Sequence, residues 1–404
     1  MIYKKNKLLI DRLIIENLAK KFSTPLYCYS YKKLRENILN IQNNFKKINP
    51  LICFAVKSNS NIKILKEIKK LELGADVVSI GELMKVLKAG IKPQKIVFSG
   101  VGKTKTEIEY AINKKILLIN AESKSEILEI EKIAKFKKKK INIGIRLNPN
   151  TDAKTISQIS TGKKENKFGV DKKTFLDLVL YVNKSKNLSL KCLSVHIGSQ
   201  ILNNKPYSKM LKIIDKIIKK SNHVFEYIDL GGGMGIDYAH NNNKFNLKEY
   251  SLNIQKFLKK NNSKIIFEPG RSIIGNTAIL ISKIIYIKKG YKKDFVILDS
   301  AMNDLIRPAL YNAEHKIIPL RKNKINSKKT YEFVGPICES TDKFAIIKKF
   351  QKLNEKEFVA ICDVGAYGTS LSSNYNVRPK PLEILIKDSK IQIISKRQKL
   401  SELM

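Results

Sequence analysis

Short apolar runs alternate with amphipathic stretches between about residues 50 and 270. Eight runs have the length and composition of buried strands: ICFAVK (52–57), ADVVSI (75–80), KIVFSG (95–100), ILLIN (116–120), INIGIRLN (141–148), LKCLSVHIG (190–198), FEYIDLGGG (225–233) and KIIFEPG (264–270). Between them apolar residues recur at helical spacing, as at Ile62, Leu65 and Ile68. This alternation predicts an α/β fold, a parallel (β/α)8 barrel, with a doubly wound sheet as the main alternative.

The pattern changes after residue 276, where strand-like runs follow one another with few helical stretches between them. These runs are AILISKIIYIKK, DFVILDS, YEFVGPIC, EFVAICDVG, LEILIK and IQIIS, and they predict a second, mostly β domain. The early run TPLYCYS (24–30) is also strand-like, and we expect it to join that domain. The sequence therefore predicts a barrel over residues 30–275 and a discontinuous β domain made of residues 1–29 and 276–404.

Composition indicates a globular cytoplasmic protein. Hydrophobic residues make up 43% of the 404 residues, and no stretch approaches the roughly 20 uncharged apolar residues that a membrane span requires. The first apolar run is interrupted by Asp11 and Arg12, so it lacks the core of a secretory signal. The five cysteines occur singly, without CxxC spacing. Neither a disulfide framework nor a metal site is therefore indicated.

The net charge of +42 raises the question of nucleic-acid binding, because clustered cations attract phosphate. The lysines, however, are spread through every predicted helix and loop, and KFKKKK (135–140) is the only sizeable block. The chain is also rich in Lys, Asn and Ile wherever any polar or apolar residue would serve. We interpret the charge as a compositional bias and expect no nucleic-acid partner.

Two glycine-containing segments follow the last two predicted barrel strands, where such barrels hold phosphate. The seventh run leads into Gly231, Gly232 and Gly233, and the eighth ends in EPGR (268–271). A triple glycine alone is more often a tight turn, and GGGMG lacks the GxGxxG spacing of a dinucleotide site. The segment SGVGKTK (99–105) is not a Walker A loop, because Val97 stands where that motif requires glycine.

Lys57 and His196 each end a predicted strand, so both should face this phosphate site. Most lysines in this chain should be solvated surface charges. A lysine at a strand end, near a phosphate cradle and an acidic group, is however the arrangement that a Schiff base with pyridoxal phosphate requires. His196 would lie against the cofactor ring in such a site. The alternative is a histidine that is simply hydrogen-bonded in the interior.

Eight sequence blocks point to one family. They are FAVKSN, GADVVSIGELMKVLKAG, HIGSQI, DLGGGMGIDY, EPGRSIIGNTA, MNDLIRPALYNAEH, VGPICESTDKF and DVGAYGTSLSSNYNVRPKP. Together they resemble the pyridoxal-phosphate-dependent diaminopimelate decarboxylases, which are group IV decarboxylases with the alanine-racemase-like fold. The resemblance covers almost the whole chain, and the blocks occur in the family's order.

The resemblance implies a role for each matching residue. Lys57 matches the Schiff-base lysine, His196 the histidine that stacks on the ring, and Glu268 the carboxylate that faces the pyridine nitrogen. The remaining cofactor contacts would be Ser199, Gly231, Gly232, Gly233, Pro269, Gly270, Arg271 and Tyr367. Cys338 matches the proton donor that a partner subunit contributes, which implies a homodimer with shared active sites. Its alternative role is that of a small buried hydrophobic residue.

The substrate that the resemblance implies is meso-2,6-diaminopimelate, which would yield L-lysine and carbon dioxide. Its distal carboxylate calls for arginine, whose planar fork matches a carboxylate. Arg271, Arg307 and Tyr311 are the candidates for that contact, and Glu339 is the candidate for the distal ammonium. Tyr367 matches a residue that reaches the cofactor and the substrate from the second domain. The alternatives are a decarboxylase of another basic amino acid or of a carboxylated polyamine, and a non-catalytic pyridoxal-phosphate carrier.

Overall fold

A computed structural model describes residues 1–151, 161–162 and 165–404. The chain divides into two compact units. The first contains Met1–Asn37, Asp237–Asn242 and Ile273–Met404, and the second contains Ile38–Ile236 and Asn243–Ser272. This division differs from the predicted domains in its boundaries, and it groups residues 237–242 with the first unit.

The strands are, in chain order, β1 (Ile2–Lys4), β2 (Lys7–Ile10), β3 (Leu13–Ile14), β4 (Leu26–Ser30), β5 (Leu51–Ala55), β6 (Gly74–Val77), β7 (Ile96–Phe98), β8 (Leu118–Ala121), β9 (Ile141–Arg146), β10 (Leu188–Ser194), β11 (Tyr227–Asp229), β12 (Lys264–Phe267), β13 (Ala278–Lys288), β14 (Lys293–Leu298), β15 (Ile317–Pro319), β16 (Thr330–Val334), β17 (Lys343–Ile347), β18 (Phe358–Ile361), β19 (Leu382–Lys387) and β20 (Lys390–Ser395).

The α-helices are α1 (Ile15–Phe22), α2 (Tyr31–Asn44), α3 (Ile62–Lys70), α4 (Ile80–Lys88), α5 (Lys105–Asn113), α6 (Lys124–Phe136), α7 (Lys172–Lys184), α8 (Lys205–Ser221), α9 (Leu247–Leu258), α10 (Arg271–Ile274) and α11 (Arg307–Tyr311). None of the helices in the described part of the chain has the length and apolar character needed to cross a membrane.

The second unit is a closed barrel of parallel strands. Strands β5 to β12 pair in chain order, and β12 closes the barrel by pairing with β5, with Ile266 opposite Leu51. Each of the eight predicted runs overlaps one of these strands, so the (β/α)8 prediction is confirmed and the doubly wound alternative is wrong. The closed sheet matters for function because it gathers the carboxyl ends of all eight strands at one mouth.

The helices of the barrel form as their patterns predict. In α3 the apolar residues Ile64, Leu65 and Ile68 are buried, and the side chain of Asn61 caps the helix by accepting a hydrogen bond from the Lys63 N–H. In α5 a complete capping box links Thr104 and Glu107. Such caps fix where each helix begins after its strand.

The barrel interior is apolar at one level and polar at another. Five buried residues form an apolar cluster, namely Cys53, Val97, Leu118, Cys192 and Ile266. Nearer the carboxyl ends of the strands, or just beyond them, the buried residues Asp76, Asn120, Ser194, Asp229 and Glu268 carry polar side chains. Polar side chains are rarely buried without a partner, so this second level is where a site is expected.

The first unit contains a nine-stranded sheet with the path β17-β16-β14-β13-β4-β19-β20, to which β15 and β18 are added through β13. Strand β4 from the N-terminal region lies between β13 and β19. The prediction that TPLYCYS joins the β domain is therefore confirmed. The small β1-β2-β3 sheet was not predicted from the sequence, and neither were strands β15 and β17, which are short or carry exposed residues on both faces.

Candidate active site

Lys57 lies in a short 3-10 turn, Val56–Ser58, directly after β5. The strand ends at Ala55, so the lysine lies two residues beyond the strand end, rather than at that end as the sequence predicted. Its Nζ is 3.3 Å from Oδ2 of Asp76, and the lysine side chain is 40% exposed while that of Asp76 is fully buried. Pairing of Ala55 with Asp76 between β5 and β6 brings the two side chains together. One end of the ion pair thus remains accessible to solvent.

Asp76 was missed in the sequence analysis. Its second oxygen, Oδ1, is buried and has no hydrogen-bond partner among the described residues. A desolvated carboxylate oxygen is costly unless a donor or a cation lies nearby. The signal available in the sequence was an acidic residue inside the otherwise apolar run ADVVSI.

Glu268 and Asp229 are two buried acidic side chains inside the barrel, and each affects the pKa of the other. Asp229 ends β11, and it accepts hydrogen bonds from the Gly231 N–H at 2.9 Å and from Asn120 Nδ2 at 2.9 Å. Glu268 follows β12 and accepts from Ser99 Oγ at 3.2 Å. Burial, and then the neighbouring Asp229 charge, raise the pKa of Glu268 well above its usual value. The buried site therefore favours the protonated form of Glu268.

His196 lies two residues beyond the end of β10, rather than at its end as predicted. Its Nδ1 accepts a hydrogen bond of 3.1 Å from the Gly232 N–H, so the ring proton resides on Nε2. Burial lowers the pKa of His196 well below its usual value, and the charges of Arg146 and Lys57 lower it further. The imidazole is therefore neutral and held in one tautomer.

The glycine-rich segment after β11 packs directly against this histidine. Gly231 adopts a φ of +64°, and a Cβ there would lie 2.5 Å from Nδ1 of His196. Gly233 has a φ of +93°, and a Cβ there would lie 2.5 Å from the Gly198 carbonyl oxygen. Both positions favour glycine, because the backbone is in the left-handed region and because there is no space for a Cβ. The backbone of this loop can therefore approach a ligand closely.

The segment after β12 is tied to the same mouth. The Ala55 N–H donates to the Pro269 carbonyl at 3.2 Å, and a Cβ on Gly270 would lie 2.9 Å from the side chain of Ser58. The Arg271 Nη2 donates to Ser199 Oγ at 3.1 Å. The barrel unit therefore brings together all the cofactor-site residues that were predicted within it, from Lys57 to Arg271.

The lysine of the Walker-like segment has a structural role. The side chain of Lys103 is buried, and its Nζ donates to Glu126 Oε1 at 2.6 Å and to the Asn120 carbonyl at 2.8 Å. Beside it Arg146, at the end of β9, forms a buried ion pair of 2.9 Å with Glu122. These pairs fix the carboxyl ends of neighbouring strands, and they leave this lysine no role as a phosphate ligand.

The remaining predicted residues lie in the first unit. Arg307 begins α11 and is buried, and Tyr311 ends it and is partly exposed. Tyr367 adopts a φ of +58°. Cys338 is exposed in this single chain. Glu339 is also exposed, and it accepts a hydrogen bond from the Tyr375 hydroxyl.

Comparison with known proteins assigns this arrangement to a family. Residues 31–275 match the family model described as the pyridoxal binding domain of pyridoxal-dependent decarboxylases. A diaminopimelate decarboxylase of Helicobacter pylori is 44% identical over 391 residues, which is 96% of each chain. The Aquifex aeolicus enzyme of that name is 39% identical over 400 residues, covering 98% of this chain and 94% of the relative.

A solved structure leads to the same family. The crystal structure of Helicobacter pylori diaminopimelate decarboxylase complexed with L-lysine superposes with a TM-score of 0.92 at 43% identity, and it covers 96% of this chain and 98% of the relative.

Proposed function

This chain belongs to the diaminopimelate decarboxylases, and from this premise we propose the reaction and the residues that carry it. The protein is a pyridoxal-phosphate-dependent carboxy-lyase, which removes the carboxylate at the D-configured carbon of meso-2,6-diaminopimelate to give L-lysine and carbon dioxide. This is the last step of a bacterial-type lysine biosynthesis. Near-full-length identity of 44% to a named diaminopimelate decarboxylase is the observation that carries the conclusion.

The residues at the barrel mouth fit pyridoxal 5'-phosphate. Lys57 offers a primary amine, and the buried Oδ1 of Asp76, which has no hydrogen-bond partner among the described residues, can accept a hydrogen bond from a polar or cationic group. The phosphate would be held by Ser199, Gly231, Gly232, Gly233, Gly270 and Arg271, which combine closely approachable backbone with hydroxyl and guanidinium donors. When bound, the cofactor supplies a ring that accepts the electron pair left by the departing carbon dioxide.

Asp76 and Lys57 act as a unit in this proposal. Lys57 would supply the amine that binds the cofactor's aldehyde, and Asp76 holds that amine by its charge. Because the Asp76 side chain is fully buried, its attraction for the ammonium is screened less than it would be in water. The carboxylate thereby fixes the position of Nζ at the end of β5.

Glu268 would face the ring nitrogen and keep it protonated. Its neighbour Asp229 supports this role, because burial and the Asp229 charge favour a proton on Glu268. Ser99, Asn120 and the Gly231 N–H restrain the pair from the sides. His196, neutral and fixed by Gly232, would cover one face of the ring and exclude water from it.

Proton delivery is assigned to Cys338 of the partner subunit. A thiol is ordinarily protonated at neutral pH and can serve as a general acid. The exposure of Cys338 supports a role at a subunit interface, and the functional assembly in this proposal is a homodimer. We further expect a cytoplasmic protein without a nucleic-acid or membrane partner.

Substrate selection is assigned to residues that can bind the distal amino-acid group. Arg307, Arg271, Tyr311 and Tyr367 would bind the distal carboxylate, and Glu339 would bind the distal ammonium. The substrate of an ornithine-type decarboxylase has no distal carboxylate that these arginines could bind. A carrier without catalysis would have no use for Cys338 and Glu339.

The deciding experiment measures carbon dioxide release by the purified protein from meso-diaminopimelate, L-ornithine and L-arginine. We expect turnover of the diacid, and its abolition in Lys57→Ala. Preference for ornithine would refute the assignment of Arg307, and a bound cofactor without turnover of any substrate would favour the carrier.

A further inference from the structure

Arg307 is held by a histidine that sequence analysis did not select. Its Nη1 lies 2.8 Å from Nε2 of His315, and the two residues are only 5% and 4% exposed. A guanidinium can only donate hydrogen bonds, so Nε2 of His315 must accept. This ring nitrogen therefore carries a lone pair and no proton.

The other ring nitrogen of His315 requires the same tautomer. Nδ1 lies 2.8 Å from the carbonyl oxygen of Cys362, which can only accept, so Nδ1 carries the proton. The backbone holds the ring in this position, because the Cys362 N–H donates to the Lys316 carbonyl at 2.8 Å. The pairing of Ile317 in β15 with Ile361 in β18 continues that ladder. Both neighbours of His315 thus stabilise one neutral form.

Tyr238 covers the face of the same guanidinium. The Arg307 Cζ lies 4.8 Å from the centroid of the tyrosine ring, and that ring meets the His315 ring edge-on at 5.3 Å and 79°. The arginine is therefore restrained along one edge by an imidazole and across one face by a phenol. Both groups are uncharged, so these contacts orient the guanidinium without cancelling its charge.

We propose that His315, together with Tyr238, is a positioning residue that sets selectivity for ligands with a distal carboxylate. This inference rests on the proposed role of Arg307 in binding that carboxylate. Bidentate recognition requires the planar fork to point in one direction. An arginine restrained at Nη1 and across its face loses little further freedom when a carboxylate binds.

Two enantiomers of one amino acid separate this role from general stability. L-lysine, the product, retains the distal carboxylate of the substrate. D-lysine matches the reacting centre and the distal amine but has hydrogen in place of that carboxylate. Their composition and charge are identical, so the ratio of their inhibition constants reports selectively on the carboxylate contact.

The experiment compares the holoenzyme with His315→Leu, His315→Gln, Tyr238→Leu and Tyr238→Phe. In His315→Leu we expect the KM for meso-diaminopimelate to rise about tenfold, with a smaller fall in kcat, because misorientation of a bidentate group weakens capture. Inhibition by L-lysine should weaken by a similar factor, and inhibition by D-lysine much less. His315→Gln, whose amide oxygen can still accept from Arg307, should recover part of the loss.

The outcomes keep the two proposals apart. Absence of turnover in the unmodified enzyme would refute the proposed function, whereas normal turnover with an unchanged lysine enantiomer ratio in His315→Leu would refute the positioning role alone. If His315→Leu fails to retain the cofactor absorbance, the two variants Tyr238→Phe and Tyr238→Leu test the positioning role instead. Tyr238→Phe keeps the ring and should preserve the ratio, while Tyr238→Leu should shift it. Equal effects of the two would overturn the inference.

Discussion

Nζ of Lys57 lies 3.3 Å from Oδ2 of Asp76, an aspartate whose side chain has no exposure to solvent. Replacing Asp76 with asparagine removes the charge but keeps the shape. We expect Asp76→Asn to lower kcat/KM by about tenfold to a hundredfold, or about 1.4–2.8 kcal/mol, because a neutral amide no longer attracts the Lys57 ammonium. Visible absorbance of the bound cofactor measures whether the variant still binds it, and carbon dioxide release measures turnover. Asp76→Glu is the matched control, and equal activity of Asp76→Asn and the unmodified enzyme would remove Asp76 from the mechanism.

Gly231 is expected to tolerate no side chain. In Gly231→Ala the new Cβ would meet Nδ1 of His196 at 2.5 Å, so the histidine or the loop must move. We expect a loss of stability on the order of 1–3 kcal/mol and weakened cofactor binding. Gly90→Ala is the control, because Gly90 has a φ of +88° but nothing within 4 Å of an added Cβ. Thermal unfolding and cofactor titration compare them, and equal cofactor affinities would contradict the prediction.

Glu82 and Glu107, two carboxylates in the first turns of helices, should make opposite contributions to the pH dependence of stability. Burial raises the pKa of Glu82 to about 7, so the contribution of this group to stability is complete below the unfolded value and is lost as the pH rises through 7. Burial also acts on Glu107, but hydrogen bonds from Thr104 and Ile80 outweigh it and lower the pKa of that group. Its contribution is present above the unfolded value and is lost on acidification.

Glutamine substitution at each position tests these signs. Glu82→Gln should raise the melting temperature at pH 8 relative to the unmodified protein and change it less at pH 5. Glu107→Gln should lower the melting temperature at pH 8 and change it less at pH 3. The same direction of change in both variants at pH 8 would contradict the assignment.

Shared active sites should be revealed by mixed dimers. Lys57→Ala and Cys338→Ala are each expected to be inactive or nearly so, and Cys338→Ala should keep the coloured cofactor. When the two variants are unfolded and refolded together, hybrid dimers contain one site with both native residues. Activity should then recover to roughly a quarter of that of the unmodified enzyme, given random pairing of symmetric subunits. No recovery above either variant alone would refute the assignment of Cys338 to the partner's site.

The barrel could be predicted because its strands are short, apolar and separated by amphipathic helices, which is a pattern of local origin. Lys57, Glu268 and the glycines could be selected because they stand at predicted strand ends or in motifs. Asp76 and His315 could not be selected in that way. Asp76 is one acid within an apolar run, and the importance of His315 depends on a contact with Arg307 eight positions away that no periodicity indicates.

Residues 237–242 show a second limit of sequence reasoning. They follow the glycine-rich loop of the barrel without a break in pattern, yet the structure groups them with the first unit. Within that unit Tyr238 lies against Arg307, and His240 Nε2 lies 2.7 Å from Asp363 Oδ2. Such long-range contacts place residues 237–242 in the first unit, and no local sequence pattern predicts them.

Strand β4 pairs with β13 on one side and with β19 on the other, which has a consequence for biosynthesis. The ribosome releases Leu26–Ser30 long before Leu382–Lys387, and every residue of the barrel is translated in the interval. Although domains generally fold as units during synthesis, β4 can pair with β13 on one edge only once that strand has been translated, and its other edge stays unpaired until the last tenth of the chain emerges. A chain that stops before residue 382 would therefore contain a complete barrel and an unfinished sheet, a natural substrate for chaperones and proteases.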